Sequence, residues 1–323
     1  MTERMQLRHV LCALVLVAAF AACTKSSTTT TTTVTSSNGN GATPAAGSKT
    51  IGVSIQNREA QFYQDLEGGL KSGANKYGFT VQVVDAGRDN AKQQSQVEDF
   101  ISKKVAAIVL TPYDSQAIGG AIVEANKAGI PVFTADIAST AKQGTVVAHI
   151  ASDNVQGGAQ AGNLMCAAVK SGSIAIIDEP EVTSVQDRVK GFKGALAACP
   201  GVKVVADIDG GGERAKASSV MDDLLQSHKD LKGVFGINDD SALGAAKSIQ
   251  AAGLTGKIAV VGYDASPEAQ AAIKAGTMYG DAIQHPDQIG SKTIDAIHDY
   301  FGGKKPPAKI SVAVGTFTKA NAK

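Results

Sequence analysis

Short runs of β-branched and apolar residues alternate with segments in which apolar residues recur at helical spacing. Thr50 to Ile55, Val81 to Val84, Ala106 to Leu110, Ile130 to Phe133 and Val146 to Ile150 are nearly continuously apolar, the pattern of strands buried on both faces of a parallel sheet. Between them Phe62 to Tyr77, Ala91 to Lys103 and Ser115 to Ala128 read as helices, with Gly78, Gly129 and Pro131 at their exits. A second series starts after Asp153. Its helices are predicted at Asn154 to Val169, Val185 to Ala198, Ala215 to Ser227, Ser241 to Ala252 and Pro267 to Ala275; its strands at Ser173 to Ile177, Val202 to Ile208, Gly233 to Ile237, Ile258 to Gly262 and, more weakly, Met278 to Ile283. Two such repeats predict an α/β protein of two open, doubly wound lobes rather than one closed barrel.

Open α/β sheets bind ligands beyond the carboxyl ends of their strands, and clefts between lobes are common ligand sites. The polar residues at those ends are Gln56, Asp136, Asn238, Asp264 and Gln284. Amides and carboxylates are equipment for gripping hydroxyl groups, so the five together point to a polar ligand, although each alone could serve as a loop or helix cap.

The ends of the chain change the picture of where this body works. Arg4 and Arg8 precede an apolar run from Val10 to Ala22, too short for a membrane span of about 20 residues and built like a secretory leader. Ala21-Ala22-Cys23 resembles the lipobox of bacterial lipoproteins, with Phe20 in place of the usual Leu, and implies lipidation at Cys23; ordinary cleavage is the alternative. The Thr/Ser/Gly/Asn-rich stretch that follows has too few apolar residues to fold and reads as a tether. The expected organisation is a leader over 1–22 and a tether over 23–48. The first lobe is then expected over 49–152 plus 285–312, and the second over 153–284 plus 313–323. An exported protein at the outer face of the membrane or in the periplasm, acting as a monomer, is the expectation.

Composition narrows the ligand. The chain holds 31 basic and 30 acidic residues, and loss of Arg4, Arg8 and Glu3 with the leader leaves the two kinds equal. A neutral body has no electrostatic footprint for nucleic acid, and small uncharged ligands fit it better. Cys166 and Cys199 remain after export, where either a disulfide or two buried thiols would be compatible with the compartment. No cysteine or histidine spacing suits a metal, so neither metal nor cofactor is expected. Gly210-Gly211-Gly212 lacks the Gly-Lys-Ser/Thr of a phosphate loop, and no G-x-S-x-G elbow is present.

Five segments carry a family resemblance: Ile150-Ala151-Ser152-Asp153-Asn154; Asp187-Arg188 with Gly191-Phe192; Asn238-Asp239-Asp240 before Ala242-Leu243-Gly244; Val261-Gly262-Tyr263-Asp264; and Gln284 with Pro286-Asp287-Gln288-Ile289-Gly290. Together they resemble the ribose-binding-protein-like group of type I periplasmic binding proteins. The resemblance implies two Rossmann-like lobes joined by three crossovers that close like a hinge on a sugar, and no catalysis. By position it implies Phe62 and Tyr63 as stacking aromatics, Asp136 as a hydroxyl acceptor, Arg188, Asn238 and Asp264 as the polar grip of the second lobe, and Gln284 at the hinge. Phe62 and Tyr63 could equally be a helix start packed on the core. The implied partner is an ABC permease, or else a chemoreceptor or sensor kinase.

The sequence departs from ribose binders where they carry an Arg after the first-lobe Asp, here Ile137, and where their second-lobe aromatic falls, here Gly212. Gln56 and Ala60 replace a Ser and an Asn. Loss of a guanidinium donor points away from ordinary ribopyranose. Another pentose or hexose, a deoxy or furanose sugar, or a linear polyol is expected instead. DNA-binding regulators with the same body need a basic helix-turn-helix at the amino end, which this chain lacks. An exported enzyme using Asp136, Asp264 and Arg188 for acid/base chemistry is the remaining alternative.

Overall fold

The computed structural model describes residues 48–322. The predicted leader, Cys23 and all but the last residue of the tether lie outside them.

The described chain runs β1 (Thr50–Ile55), α1 (Gln61–Tyr77), β2 (Thr80–Asp85), α2 (Asn90–Ser102), β3 (Ala107–Leu110), α3 (Gly119–Lys127), β4 (Val132–Ala135) and β5 (Val146–Ser152). It continues through α4 (Asn154–Ala168), β6 (Gly172–Asp178), α5 (Thr183–Ala195), β7 (Val202–Asp209), α6 (Arg214–Ser227), β8 (Leu231–Gly236), α7 (Asp239–Ala251), β9 (Ala259–Asp264), α8 (Pro267–Ala275) and β10 (Gly280–Ile283). It ends with α9 (Pro286–Phe301), β11 (Lys309–Val312) and β12 (Gly315–Thr318).

Two six-stranded sheets result, ordered β11-β5-β4-β3-β1-β2 and β12-β10-β9-β8-β6-β7. Every pairing is parallel except β10 with β12. The chain passes between the sheets three times: after β5, after β10, and between β11 and β12. Each sheet is covered on both faces. Apolar side chains of α1 and α9 pack on one face of the first sheet and those of α2 and α3 on the other; α4 and α5 face α6, α7 and α8 across the second. The doubly wound two-lobed architecture expected from the alternating pattern is the one found.

Several element boundaries differ from the sequence expectation. The helix expected from Ser115 begins at Gly119, because Asp114 Oδ1 takes the N–H groups of Gln116 and Ala117 in a turn and Ser115 N donates to Glu181 O of the other lobe at 3.2 Å. The strand expected from Ile130 begins after Pro131, which has no N–H for the ladder. Helix α9 and strands β11 and β12 were not expected. Among the described residues no helix is long and apolar enough to cross a membrane. Cys166 and Cys199 form a disulfide with Cα atoms 5.8 Å apart, linking α4 to the turn after α5.

The contact between α4 and α5 positions a functional side chain. A Cβ on Gly158 would run into the Arg188 carbonyl, so only a bare backbone at this point of α4 lets α5 approach and present Arg188 to the space between the lobes. Gly158→Ala is therefore expected to cost about 1–3 kcal/mol of stability through overpacking. Gly194→Ala, on an open stretch of the same α5, is expected to be neutral or stabilising by up to about 1 kcal/mol. Urea unfolding of both variants checks the contrast.

Candidate functional site

All eight residues singled out in the sequence border one cavity between the lobes: Gln56, Phe62, Tyr63, Asp136, Arg188, Asn238, Asp264 and Gln284. Gln56 follows β1 and Asp136 follows β4; Asn238 lies two residues past β8, Asp264 ends β9 and Gln284 follows β10. The shared feature is the carboxyl edge of a parallel sheet, where side chains leave the strand ladder and point into the crevice.

Arg188 is the most heavily supported of the eight. It is buried, with Nε donating to Asn154 Oδ1 at 2.9 Å and Nη1 to the Ile237 carbonyl at 3.0 Å. Its guanidinium lies 4.2 Å from the centre of the Tyr263 ring, and Tyr263 in turn donates to Asn154 Oδ1 at 3.3 Å. Nη2 reaches across the cleft to within 3.8 Å of Asp136 Oδ1. A cation held on three sides by its own lobe thus faces a carboxylate of the other.

The remaining residues divide by how much of their bonding capacity the protein itself consumes. Gln56 is committed: its Nε2 donates to Glu179 Oε1 at 3.0 Å and its Oε1 accepts from Tyr63 Oη at 2.7 Å. Asn238 caps α7 by accepting from Ser241 N at 2.8 Å and donates to Gly212 O at 3.1 Å, so the cap and the cavity wall are one residue. Asp264 Oδ1 accepts from Gln284 Nε2 at 2.7 Å. Asp136 Oδ1 and Gln284 Oε1 are buried with no hydrogen-bond partner. Phe62 and Tyr63 belong to the first lobe's apolar cluster and also line the cavity, so packing and cavity lining are not alternatives.

Backbone strain concentrates here. Asp136 has φ +64°, Asp264 φ +125° and Arg88 φ +60°, all in the region L-residues avoid at about 1–3 kcal/mol each. Such conformations persist where surrounding structure imposes them, and all three residues border the cavity.

Sequence reasoning missed Glu179 and Arg88. Glu179 follows β6 directly and is 4% exposed; Arg88 Nη1 lies 3.4 Å from its Oε1 and also donates to Gly211 O at 2.9 Å. The strand-end rule selects Glu179 as soon as β6 is extended to Asp178; the sequence expectation ended that strand at Ile177. Arg88 sits on a loop with no pattern to mark it. Ile137, at 1% exposure, crosses from the first lobe into the apolar cluster containing Val182 and Val185 of the second.

The cavity is small, about 30 Å³, room for one or two water molecules. Ligand pockets run to hundreds of cubic ångströms, so the lobes stand in a closed arrangement with room for little more than water. Hydrogen bonds hold it shut at the rim. Thr183 N donates to Ser115 Oγ at 3.0 Å and Ala138 N to Thr183 Oγ1 at 3.1 Å. A wider groove of about 580 Å³ shares Phe62, Asp264 and Gln284, but Asp136, Arg188 and Glu179 do not reach it, so the smaller cavity is the stronger candidate.

Burial dominates the electrostatics. It pushes the Asp136 carboxyl up to about 6 against the pull of Arg188 and the Tyr63 hydroxyl. Burial likewise pushes Glu179 up to about 7, with Arg88, Gln56 and Arg188 opposing and Glu181 adding to the rise. Asp239, Asp264 and Asp281 are driven upward by burial first, and for Asp264 and Asp281 the neighbouring carboxyl of Asp239 raises them further. Among the described residues no group of three or more His, Cys, Asp or Glu is arranged to hold a metal ion.

Residues 51–305 match the family profile described as periplasmic binding protein domain. The chain is 36% identical over 272 residues to the ribose import binding protein of Salmonella typhimurium (strain LT2), covering 83% of this chain and 90% of that protein. Among solved structures it is similar to an ABC transporter periplasmic solute binding protein from Actinobacillus succinogenes 130z with bound D-allose. That match has a TM-score of 0.79 and 29% identity, over 84% of this chain and 98% of that one. It is also similar to the Caulobacter myo-inositol binding protein bound to myo-inositol, with a TM-score of 0.78 and 30% identity over 86% and 96%.

The raised affinity of Glu179 for its proton couples its ionisation to folding. Its carboxyl holds a proton more tightly in the folded than in the unfolded chain. The stability this confers is therefore fully present below about 4.5 and is lost as pH rises through about 7. Glu179→Gln removes that loss. Relative to the unsubstituted protein, the variant is expected to gain up to about 3 kcal/mol between pH 4.5 and pH 8, measured by urea unfolding at several pH values.

Proposed function

The chain belongs to the periplasmic binding protein family, and on that premise we propose that it captures a small neutral carbohydrate or polyol by closing its lobes around it. In this reading it is the extracytoplasmic binding component of an ABC importer, and a membrane permease is its partner. The observation that carries the reading is that Asp136 Oδ1 and Gln284 Oε1 are buried at one interlobe cavity without a hydrogen bond, Asp136 Oδ1 having only the Arg188 guanidinium 3.8 Å away. Buried acceptors without donors cost about 1–3 kcal/mol each, and ligand hydroxyls are the donors that relieve them.

Capture follows from that imbalance. With the lobes apart, water satisfies Asp136, Arg188, Asp264 and Gln284. A polyhydroxylated ligand replaces that water on both sides at once, and its bonds to each lobe are complete only when the lobes meet. Its extra affinity for the closed arrangement shifts the population toward closure. The wall is not purely polar: Phe62 and Ile137 offer apolar surface to C–H groups, as sugar recognition requires. The relatives named for ribose, D-allose and myo-inositol support the ligand class. Ile137 separates this chain from ribose binders, because an alkyl group packed against Val182 and Val185 donates no hydrogen bond.

Asp136→Asn and Asp264→Asn preserve side-chain shape and are each expected to weaken binding at least tenfold, about 1.4 kcal/mol or more, with folding retained. Calorimetry with a panel of monosaccharides and polyols measures this, and unchanged affinity in both variants rejects the site. Arg188→Ala is the poorer probe, since removing so embedded a cation strands Asp136 and tests stability as much as binding. Ligand addition is expected to reduce the radius of gyration in solution scattering. Submicromolar binding of ribose would contradict the specificity argument from Ile137.

A further inference from the structure

Glu179 occupies a corner of the cavity that the capture scheme leaves unused. In the second sheet the winding reverses between β6 and β8, which places Glu179 and Asn238 at the crevice where open α/β sheets receive ligands. The surroundings are shaped to admit this side chain. Gly212 has φ +62°, and a Cβ there would collide with Glu179 Oε2 and come within 3.1 Å of Asn238 Nδ2. Whatever a larger residue at that position would have presented to the cavity, the structure presents a carboxylate instead.

Glu179 is incompletely neutralised. Gln56 Nε2 donates to its Oε1 at 3.0 Å. The guanidinium of Arg88, 3.4 Å away, is shared with the carbonyls of Gly211 and Gly212 at 2.9 and 3.3 Å, and its Nε is buried without a partner. A glutamine would fill the same space and bridge the lobes without the cost of burying a charge. What a carboxyl adds over an amide is a second acceptor oxygen, Oε2, with lone pairs for hydroxyl donors beside the Oε1 that Gln56 already occupies. A flat C–H ring face gains nothing from it.

We propose that Glu179 is a specificity-determining residue of the cleft, selecting ligands that offer a hydroxyl pair rather than a ring face to the Arg88–Gly212 corner, as an acyclic polyol does. The assignment rests on the carbohydrate-binding reading and narrows it. Open-chain polyols carry hydroxyls around their whole length and bend to bring neighbours onto one carboxylate. A pyranose lying face-on to this corner would present C–H groups to the carboxyl.

Calorimetry with D-arabinitol, D-mannitol, myo-inositol, D-ribose and D-glucose tests the assignment on the full mature protein, its Glu179→Gln variant and its Glu179→Asp variant. The unsubstituted protein is expected to bind at least one acyclic polyol tenfold or more tighter than either aldose. Glu179→Gln is expected to reduce that preference to threefold or less, and Glu179→Asp, which keeps the acid, to retain part of it. Three outcomes overturn the assignment: a preference for aldoses or myo-inositol, an unchanged preference in Glu179→Gln, or a uniform loss for every ligand, which would make Glu179 a latch between lobes. Failure of the unsubstituted protein to bind any of the five would reject the carbohydrate reading itself, and the assignment with it.

Discussion

The cleft depends on a buried guanidinium. Arg188 could not be carried into the space between two lobes alone, because desolvating a cation costs several kcal/mol unless fixed dipoles replace its water. The second lobe supplies these from three elements: Asn154 at the start of α4, the Ile237 carbonyl past β8, and the Tyr263 ring from β9. The geometry is in turn paid for by Gly158, whose missing side chain brings α5 close enough to deliver the arginine. Only then does Asp136 of the first lobe meet an ordered positive charge, one whose donors are aimed before any ligand arrives. Preorganisation of this kind removes the ordering cost from the binding step.

The first lobe answers with strain and desolvated acid. Asp136 stands at positive φ directly after β4, with one carboxyl oxygen unpartnered. Asp264, across the cleft, stands at positive φ at the end of β9 and leans on Gln284, which leads the chain back into the first lobe. That crossover residue is also a cavity residue, so the cavity wall and the connection between the lobes share backbone at Gln284.

Most of this was legible in the sequence, for a physical reason. Parallel strands covered on both faces need apolar runs such as Ala107–Leu110 and Val260–Val261, and the first polar residue beyond such a run falls at the sheet edge where ligands bind. Gln56, Asp136 and Gln284 come directly from that logic. The misses have local causes. Asp178 continues β6 although it is charged, which hid Glu179. Pro131 delayed β4 and Asp114 delayed α3, both by claiming or removing backbone N–H groups. Helix α9 carried a visible signal in Ile289, Ile294 and Ile297, buried at helical spacing after Pro286. Strands β11 and β12 carried almost none: they are four residues long and partly exposed, and only their neighbours decide them. Phe62 and Tyr63 posed a false choice, because a helix that begins at a cleft edge can bury one side of a ring in the core and show the other to the cavity.

Ile137 and Glu179 can be understood as two sides of one exchange. Where the resemblance leads one to expect an arginine beside Asp136, an isoleucine packs into the second lobe's apolar cluster; where it leads one to expect a ring, a glycine makes room for a carboxylate. The first change withdraws a donor from one wall and the second adds acceptors to another, so both move the cavity toward acceptor excess. Arg88 offsets the added charge only in part, because two carbonyls already share its guanidinium. A site with more acceptors than donors gains most from a ligand that carries many hydroxyl protons and spends few of its oxygens in ring closure. The apolar contact of Ile137 with Val182 and Val185 meanwhile supplies closure energy independent of the ligand's hydroxyl pattern. Under the proposed function, discrimination is thereby left to the carboxylates, and closing force to the alkyl groups.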